Sequence, residues 1–172
     1  MEGLISDCER TLREGHKIIA TGLGKNVPIC EKFVGTMSSM GMDATFLHTN
    51  SAVHGDMGCV KSGDLVIILT KSGRTAESVY LTELLKKREN VTLWLLSFYE
   101  HSVLADSMEN KLIVSLENEG DLWDIVPNNS TTLNLIILQQ VAIELSKRFE
   151  LELEKDFKPN HPGGAIGDAL RD

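Results

Sequence analysis

The sequence predicts an α/β fold with a mostly parallel sheet, on three observations. Short β-rich runs alternate with longer helical patterns, the order that parallel strands joined by helical crossovers require. The runs are continuously apolar, as in Leu65-Val66-Ile67-Ile68-Leu69, which is how a strand covered on both faces reads. The chain has 172 residues, 42% hydrophobic and 24% charged, which suits one compact domain with its own core.

Strands are expected at 16–20, 44–47, 64–69, 91–96 and 111–115, because these runs concentrate Ile, Val, Leu and Phe between polar or glycine-bearing turns. Amphipathic helices are expected at 27–40 and 76–88, with a short one near 103–108. A long helix is expected from about 130 to 151: Leu133, Ile136, Ile137, Val141, Leu145 and Phe149 keep a helical stripe. Ser130 and Thr131 stand where an N-cap belongs. The tail, 158–172, holds two of the four prolines and reads as an ordered loop with a short terminal turn. No linker or repeat divides the chain, so 1–172 reads as one domain with a motif-bearing core of about 16–167.

The net charge of −8 argues against non-specific binding to nucleic acid or an anionic membrane, both of which need a basic field. Cys8, Cys30 and Cys59 are an odd set without metal-type spacing and read as the reduced thiols of a cytoplasmic protein. The N-terminus lacks a basic segment followed by an apolar run. The most apolar stretches, 93–98 and 133–141, fall far short of the ~20 residues that span a bilayer.

In an open α/β sheet, ligands bind beyond the carboxyl ends of the strands, so the chemistry should lie in the post-strand loops. The first holds Gly22-Leu23-Gly24-Lys25. It is not a Walker A loop, since no Ser or Thr follows Lys25. Nor is it a dinucleotide fingerprint, since Val27 occupies the place of the third glycine. It reads equally as a plain tight turn or as a close backbone approach to a ligand, with Lys25 adding a point charge. The third loop, Thr70-Lys71-Ser72-Gly73-Arg74-Thr75-Ala76-Glu77, is more informative. Hydroxyl residues around Gly73 at the opening of a helix make a cradle for a phosphate, with backbone N–H groups and the helix dipole aimed at the anion. Ser72 and Thr75 would each donate a hydrogen bond worth about 1.5–3 kcal/mol. The competing reading is ordinary N-capping by Thr75.

The second loop carries His48 and His54. Their spacing fits no standard zinc site, and sugar-hydroxyl recognition or proton transfer by His54 competes with histidines that merely bond the backbone. Past the fifth strand come Glu117 and Glu119, carboxylates where the sheet's ligand edge should lie, of which at most one is expected to face the pocket. Burial beside an anionic ligand would raise that glutamate's pKa toward the range a general base needs, whereas a solvated acidic turn is the bland alternative. The small polar residues from Asn128 through Thr132 could complete a polyol site, and His161 sits on a turn of the tail, within reach of a site in its own subunit or a neighbour's.

These segments, with Val53-His54-Gly55-Asp56-Met57-Gly58 and His161-Pro162-Gly163-Gly164-Ala165, occur in the order found in one family. The chain resembles the sugar isomerase (SIS) domain of arabinose 5-phosphate isomerases from about His16 to Gly167. The serine-glycine loop is shared across SIS domains; the two histidine-bearing segments are narrower. The resemblance implies a three-layer sandwich around a five-stranded parallel sheet, doubly wound and flavodoxin-like. It implies aldose–ketose interconversion of ribulose 5-phosphate and arabinose 5-phosphate through an enediolate, with no cofactor because no external redox step is needed. It implies Lys25, Glu77, Glu119 and His161 as catalytic positions, and Gly24, His54, Ser72, Gly73, Thr75, Ser130 and Thr131 as substrate contacts. His48 matches a position implicated in inhibitory zinc binding, no metal being required. The implied partner is a phosphorylated sugar, and the implied assembly a homo-oligomer, tetramer or dimer, with sites at subunit interfaces.

The sequence departs from that pattern in places. Lys71 stands where the family often has a small polar residue, Asp121-Leu122 replaces Cys-Pro, and Asn128-Asn129 replaces Thr-Ser. The CBS modules common in full-length enzymes are not part of the sequence, and the family's N-terminal helical segment is expected to be missing or shortened. Two alternatives remain open: an isomerase for another phosphosugar, such as 6-phospho-3-hexulose, and a sugar-phosphate sensor without turnover.

Overall fold

The structure, a computed structural model, describes residues 1–170. A helix, α1 (Glu2–Arg13), precedes the first strand. Then follow β1 (Ile18–Gly22), α2 (Asn26–Ser39), β2 (Ala44–His48), a short α3 (Thr49–Ala52) and a 3-10 turn at Asp56–Cys59. Next come β3 (Leu65–Leu69), α4 (Ala76–Leu85), β4 (Thr92–Ser97), α5 (Val103–Ser107), β5 (Lys111–Ile113) and the long α6 (Asn129–Arg148). A π turn at Leu153–Phe157 and a 3-10 turn at Lys158–Asn160 lead to α7 (Gly164–Ala169).

The five strands form one sheet in the order β2-β1-β3-β4-β5, and every neighbouring pair is parallel. This is the expected flavodoxin-like order, whose winding reverses between β1 and β3. The ends of these two strands are in register, Gly22 opposite Leu69, so the loops that follow them open side by side. That reversal is where such sheets bind ligands.

Side-chain alternation divides the sheet between two cores. Ile18, Ala20, Leu65, Ile67, Leu69 and Leu96 pack with α1, α2 and α6. Ile19, Val66, Ile68 and Leu95 pack with Leu47, Leu81, Leu85, Leu104 and Ala105 on the other face. Both β1 and β3 are buried along their whole length, which explains their unbroken apolar runs. Burying each such aliphatic side chain contributes about 1.5–3 kcal/mol, so the two central strands hold the site's scaffold rigid.

Several boundaries differ from the sequence reading. The N-terminal segment is a helix of 12 residues that buries Leu4, Ile5 and Cys8 in the core under the sheet, an element absent from the helices expected above. The first strand starts two positions later and reaches Gly22, which narrows the loop to 23–25. The fifth strand ends at Ile113, so residues 114–128 form a loop at the edge of the sheet and not a strand carrying Glu117 and Glu119. The tail contains short helical turns, and its last two residues, Arg171 and Asp172, lie outside the described residues. No described helix is long and apolar enough to cross a membrane.

Candidate active site

Gly22 ends β1 where a Cβ would come within 2.8 Å of the Asn26 Cβ, so only glycine lets α2 start this close to the strand. Lys25 is the N-cap residue of α2 and is exposed; it makes no ion pair among the described residues. Gly24 has φ +57° with nothing near a notional Cβ, which leaves the backbone of this turn open on its outer side.

The β3–α4 turn is built the way an anion seat must be. Thr70 Oγ1 accepts from the Gly73 N–H at 3.3 Å, and Ser72 Oγ accepts from the Arg74 N–H at 3.2 Å. These bonds curl the chain, and Ser72 keeps its own hydroxyl proton free to donate. Gly73 has φ +63° and lies so close to Ser102 that an added Cβ would fall 2.1 Å from Ser102 Oγ. Thr75 is the N-cap residue of α4 yet makes no side-chain cap bond; the capping reading of this threonine is therefore set aside. The first-turn N–H groups of α4 have no intrahelical partner, and they lie at the positive end of the helix dipole. Glu77 is exposed on that same turn.

Glu119 is the most elaborately held side chain in the molecule. It is 0% exposed, while Glu117 is exposed; the loop that follows Ile113 has no strand alternation and turns only Glu119 inward. Glu119 Oε1 accepts from Ser130 Oγ at 2.7 Å and pairs with Lys71 Nζ at 2.6 Å. Oε2 accepts from the Ser130 N–H at 2.9 Å and the Asn128 N–H at 3.0 Å. Burial alone would raise the carboxyl pKa, but Lys71, the two Ser130 donors and the Asn128 N–H outweigh it and hold the pKa at about 2. The expectation of a raised pKa is thus corrected: the group is a locked carboxylate, because its neighbours are donors and a cation. The loop around it is braced by a second carboxylate, Asp121, which accepts from the N–H groups of Trp123, Ile125 and Val126.

Two expected sugar contacts have their hydroxyl protons committed elsewhere. Ser130 is 2% exposed and donates to Glu119. Thr131 Oγ1 donates to the carbonyls of Pro127 and Asn128, at 3.2 and 3.0 Å. Ser130 is therefore a support for Glu119 in this structure, and Thr131 bonds back to the backbone that enters its own helix. One turn further along α6, the buried Asn134 donates to Asn26 Oδ1 at 2.9 Å. Ser130 and Asn134 share a helix face, so α6 ties the Glu119 loop to the Lys25 turn. Sequence reasoning missed Asn134 and the pairing of Lys71; a polar side chain inside the apolar stripe 133–145 was the available signal for the former.

The histidines divide. His48 Nδ1 accepts from the Asn50 N–H at 3.2 Å and caps α3, the backbone-bonding alternative named for it. His54 is exposed beyond α3 at the same sheet edge. Among the described residues, no three His, Cys, Asp or Glu side chains gather into a metal-binding set. His161 lies elsewhere. Its neighbour Asn160 donates to the Ser39 carbonyl at 3.3 Å, at the far end of α2 from Lys25. With a 1.5 Å rise per residue, that helix separates the two by roughly 20 Å. The His161 ring stacks on Phe157 with centroids 3.9 Å apart, and Nδ1 lies 2.9 Å from the Phe157 carbonyl. A carbonyl only accepts, so Nδ1 carries the proton and Nε2 is left as a base.

The structure so far defines an α/β domain with a hydroxyl- and glycine-bearing turn opening a helix at its topological switch and a fixed carboxylate tied to it through Lys71. The chain matches the SIS domain family over residues 11–143 and belongs to it. It is 34% identical to arabinose 5-phosphate isomerase KdsD of Pseudomonas aeruginosa over 169 residues, which is 98% of this chain and 51% of that protein. It is 33% identical to the KdsD of Escherichia coli strain K12, over 95% of this chain and 49% of the relative. The chain thus spans about half the length of the curated relatives it matches. Among solved structures, the c3406 protein of E. coli CFT073 in complex with arabinose 5-phosphate superposes with a TM-score of 0.86 at 32% identity, covering 94% of this chain and 83% of that one.

Proposed function

We propose that this SIS domain is a phosphosugar isomerase that interconverts ribulose 5-phosphate and arabinose 5-phosphate. The observation that carries the reading is the Lys71–Glu119 contact of 2.6 Å. Lys71 directly precedes Ser72, so Glu119 stands one lysine side chain from the seat. A phosphate on Ser72, Thr75 and the N–H groups of α4 would leave the sugar's reacting carbons to extend toward the carboxylate and Lys25. Glu119 takes the proton from one reacting carbon, exchanges it with solvent and delivers a proton to the other, and Lys25 stabilises the negative oxygen of the enediolate between these steps. Such positioned acid–base groups typically contribute 10²–10⁴-fold. Glu77 and the exposed His54 line the same edge and contact the sugar. His161, which cannot reach Lys25 within one chain, serves the site of a second copy through its Nε2, and the active form is a homo-oligomer. The relatives named for arabinose 5-phosphate support this choice of sugar.

Ribulose 5-phosphate incubated with the protein in heavy water should yield the aldose, deuterated at C2, by proton NMR. Glu119→Gln should still bind the sugar phosphate in calorimetry while turnover falls at least a hundredfold. One observation favours a second reading, a sugar-phosphate sensor: Glu119 has no surface open to a substrate. Binding without formation of the aldose would select the sensor and overturn the isomerase.

A further inference from the structure

Glu119 is inaccessible and its charge is already matched, which a working base cannot remain. Its contacts differ in how readily they can leave. Ser130 is buried, and the Asn128 and Ser130 N–H groups belong to the backbone at the start of α6. The Lys71 side chain is 34% exposed while that of Glu119 is 0% exposed. The Lys71 backbone is fixed, because its carbonyl accepts from the Phe98 N–H at 3.1 Å and from Ser97 Oγ at 3.0 Å. Only the four-carbon stem is free to swing, and it carries a mobile point charge. That stem springs from the residue beside Ser72, so rotation about its own side-chain bonds is what would carry the ammonium from Glu119 toward the seat.

We propose that Lys71 is a positioning residue, a latch that the substrate's own phosphate opens by drawing the ammonium off Glu119 onto the seat and uncovering the carboxylate. The inference rests on the isomerase reading and explains how that reading accommodates a buried base. A phosphate ester carries a charge of about −1.5 to −2 at neutral pH, against −1 on Glu119, so the seat when filled is the stronger partner. Lys71 stays protonated throughout, and no covalent bond changes. Glu119 keeps Ser130 Oγ and both backbone N–H donors, so it stays in place while losing its countercharge. The charged groups facing it are Lys71 from the β3–α4 turn and Asp124, which accepts from the Glu119 N–H at 2.5 Å, together with the positive end of α6. With Lys71 withdrawn, the basicity of Glu119 rises by about one to three pH units, the range an adjacent opposite charge accounts for. An unphosphorylated sugar would leave the latch shut, so phosphate would be required for turnover beyond its share in binding.

The test divides the substrate into pieces. D-Arabinose is incubated in heavy water with and without inorganic phosphite, and loss of its C2 proton is followed by NMR for the wild type, Lys71→Met and Lys71→Gln. Arabinose 5-phosphate is run in parallel. Phosphite should accelerate exchange by the wild type roughly tenfold or more, on the scale of the basicity change. Both variants should exchange faster than the wild type without phosphite and gain little when it is added. Equal acceleration of variants and wild type overturns the latch and leaves the isomerase standing. So does a wild type that exchanges arabinose 5-phosphate yet ignores phosphite. A wild type that exchanges neither sugar removes the isomerase reading, and the latch with it.

Discussion

Glu119 carries its charge without contact with water, and the donors around it decide what acid does to the protein. Its pKa falls from the usual 4.5 to about 2, so the folded state holds the carboxylate more tightly than the unfolded chain does. The associated stability is complete above pH 4.5–5 and is lost as the pH falls toward 2. A depression of this size corresponds to roughly 3 kcal/mol. Urea midpoints measured from pH 6 down to pH 2 should therefore fall more steeply for the wild type than for Glu119→Gln, which lacks the titrating group; parallel curves would refute the assignment. The inward placement of Glu119 was not legible in its spacing from Glu117, since residues two apart in a strand share a face and it is the loop after Ile113 that separates them. Nor was the direction of its pKa, because that depends on Lys71 and Ser130, which only the folded sheet brings to it.

At the scale of elements, the β3–α4 turn is the most constrained joint. Gly73 combines φ +63° with a near contact to Ser102 Oγ, and that hydroxyl caps α5 by accepting from the Ala105 N–H at 3.1 Å. Gly73→Ala should strain the backbone and disturb that cap, costing about 1–3 kcal/mol, and should weaken inorganic phosphate binding in calorimetry. Gly24→Ala provides the contrast: φ is +57° but the space is open, so it should cost less stability in the same urea melts. The hydroxyl-glycine pattern made this turn legible, and the unbroken apolar runs did the same for β1 and β3. The α1 helix was legible as well, since Leu4, Ile5, Cys8 and Leu12 sit at helical spacing and form the stripe that buries under the sheet. The fifth strand was drawn too long because Val114 continues the apolar pattern after the main strand pairing has ended at Ile113.

Across the whole molecule, the winding order collects Lys25, the β3–α4 turn and Glu119 at one edge of the sheet and leaves His161 at the other. No local adjustment closes a gap the length of α2, whose flanking core residues Cys30, Phe33 and Met37 are fully buried. The Phe157 stack and the Nδ1 contact nevertheless hold the His161 ring in one orientation. A site shared between copies reconciles the two facts, and complementation can test it. Lys25→Ala and His161→Ala should each be inactive alone. Mixed, dissociated and reassembled, they should recover about a quarter of wild-type turnover, because random pairing makes half the dimers hybrid and each hybrid holds one intact site of two. Recovery well below that figure, with hybrids demonstrated by mass spectrometry, would confine the site to one chain and remove His161 from it. Recovery at that figure would show that the tail of one copy completes the carboxyl edge of another, which places the oligomer inside the catalytic argument.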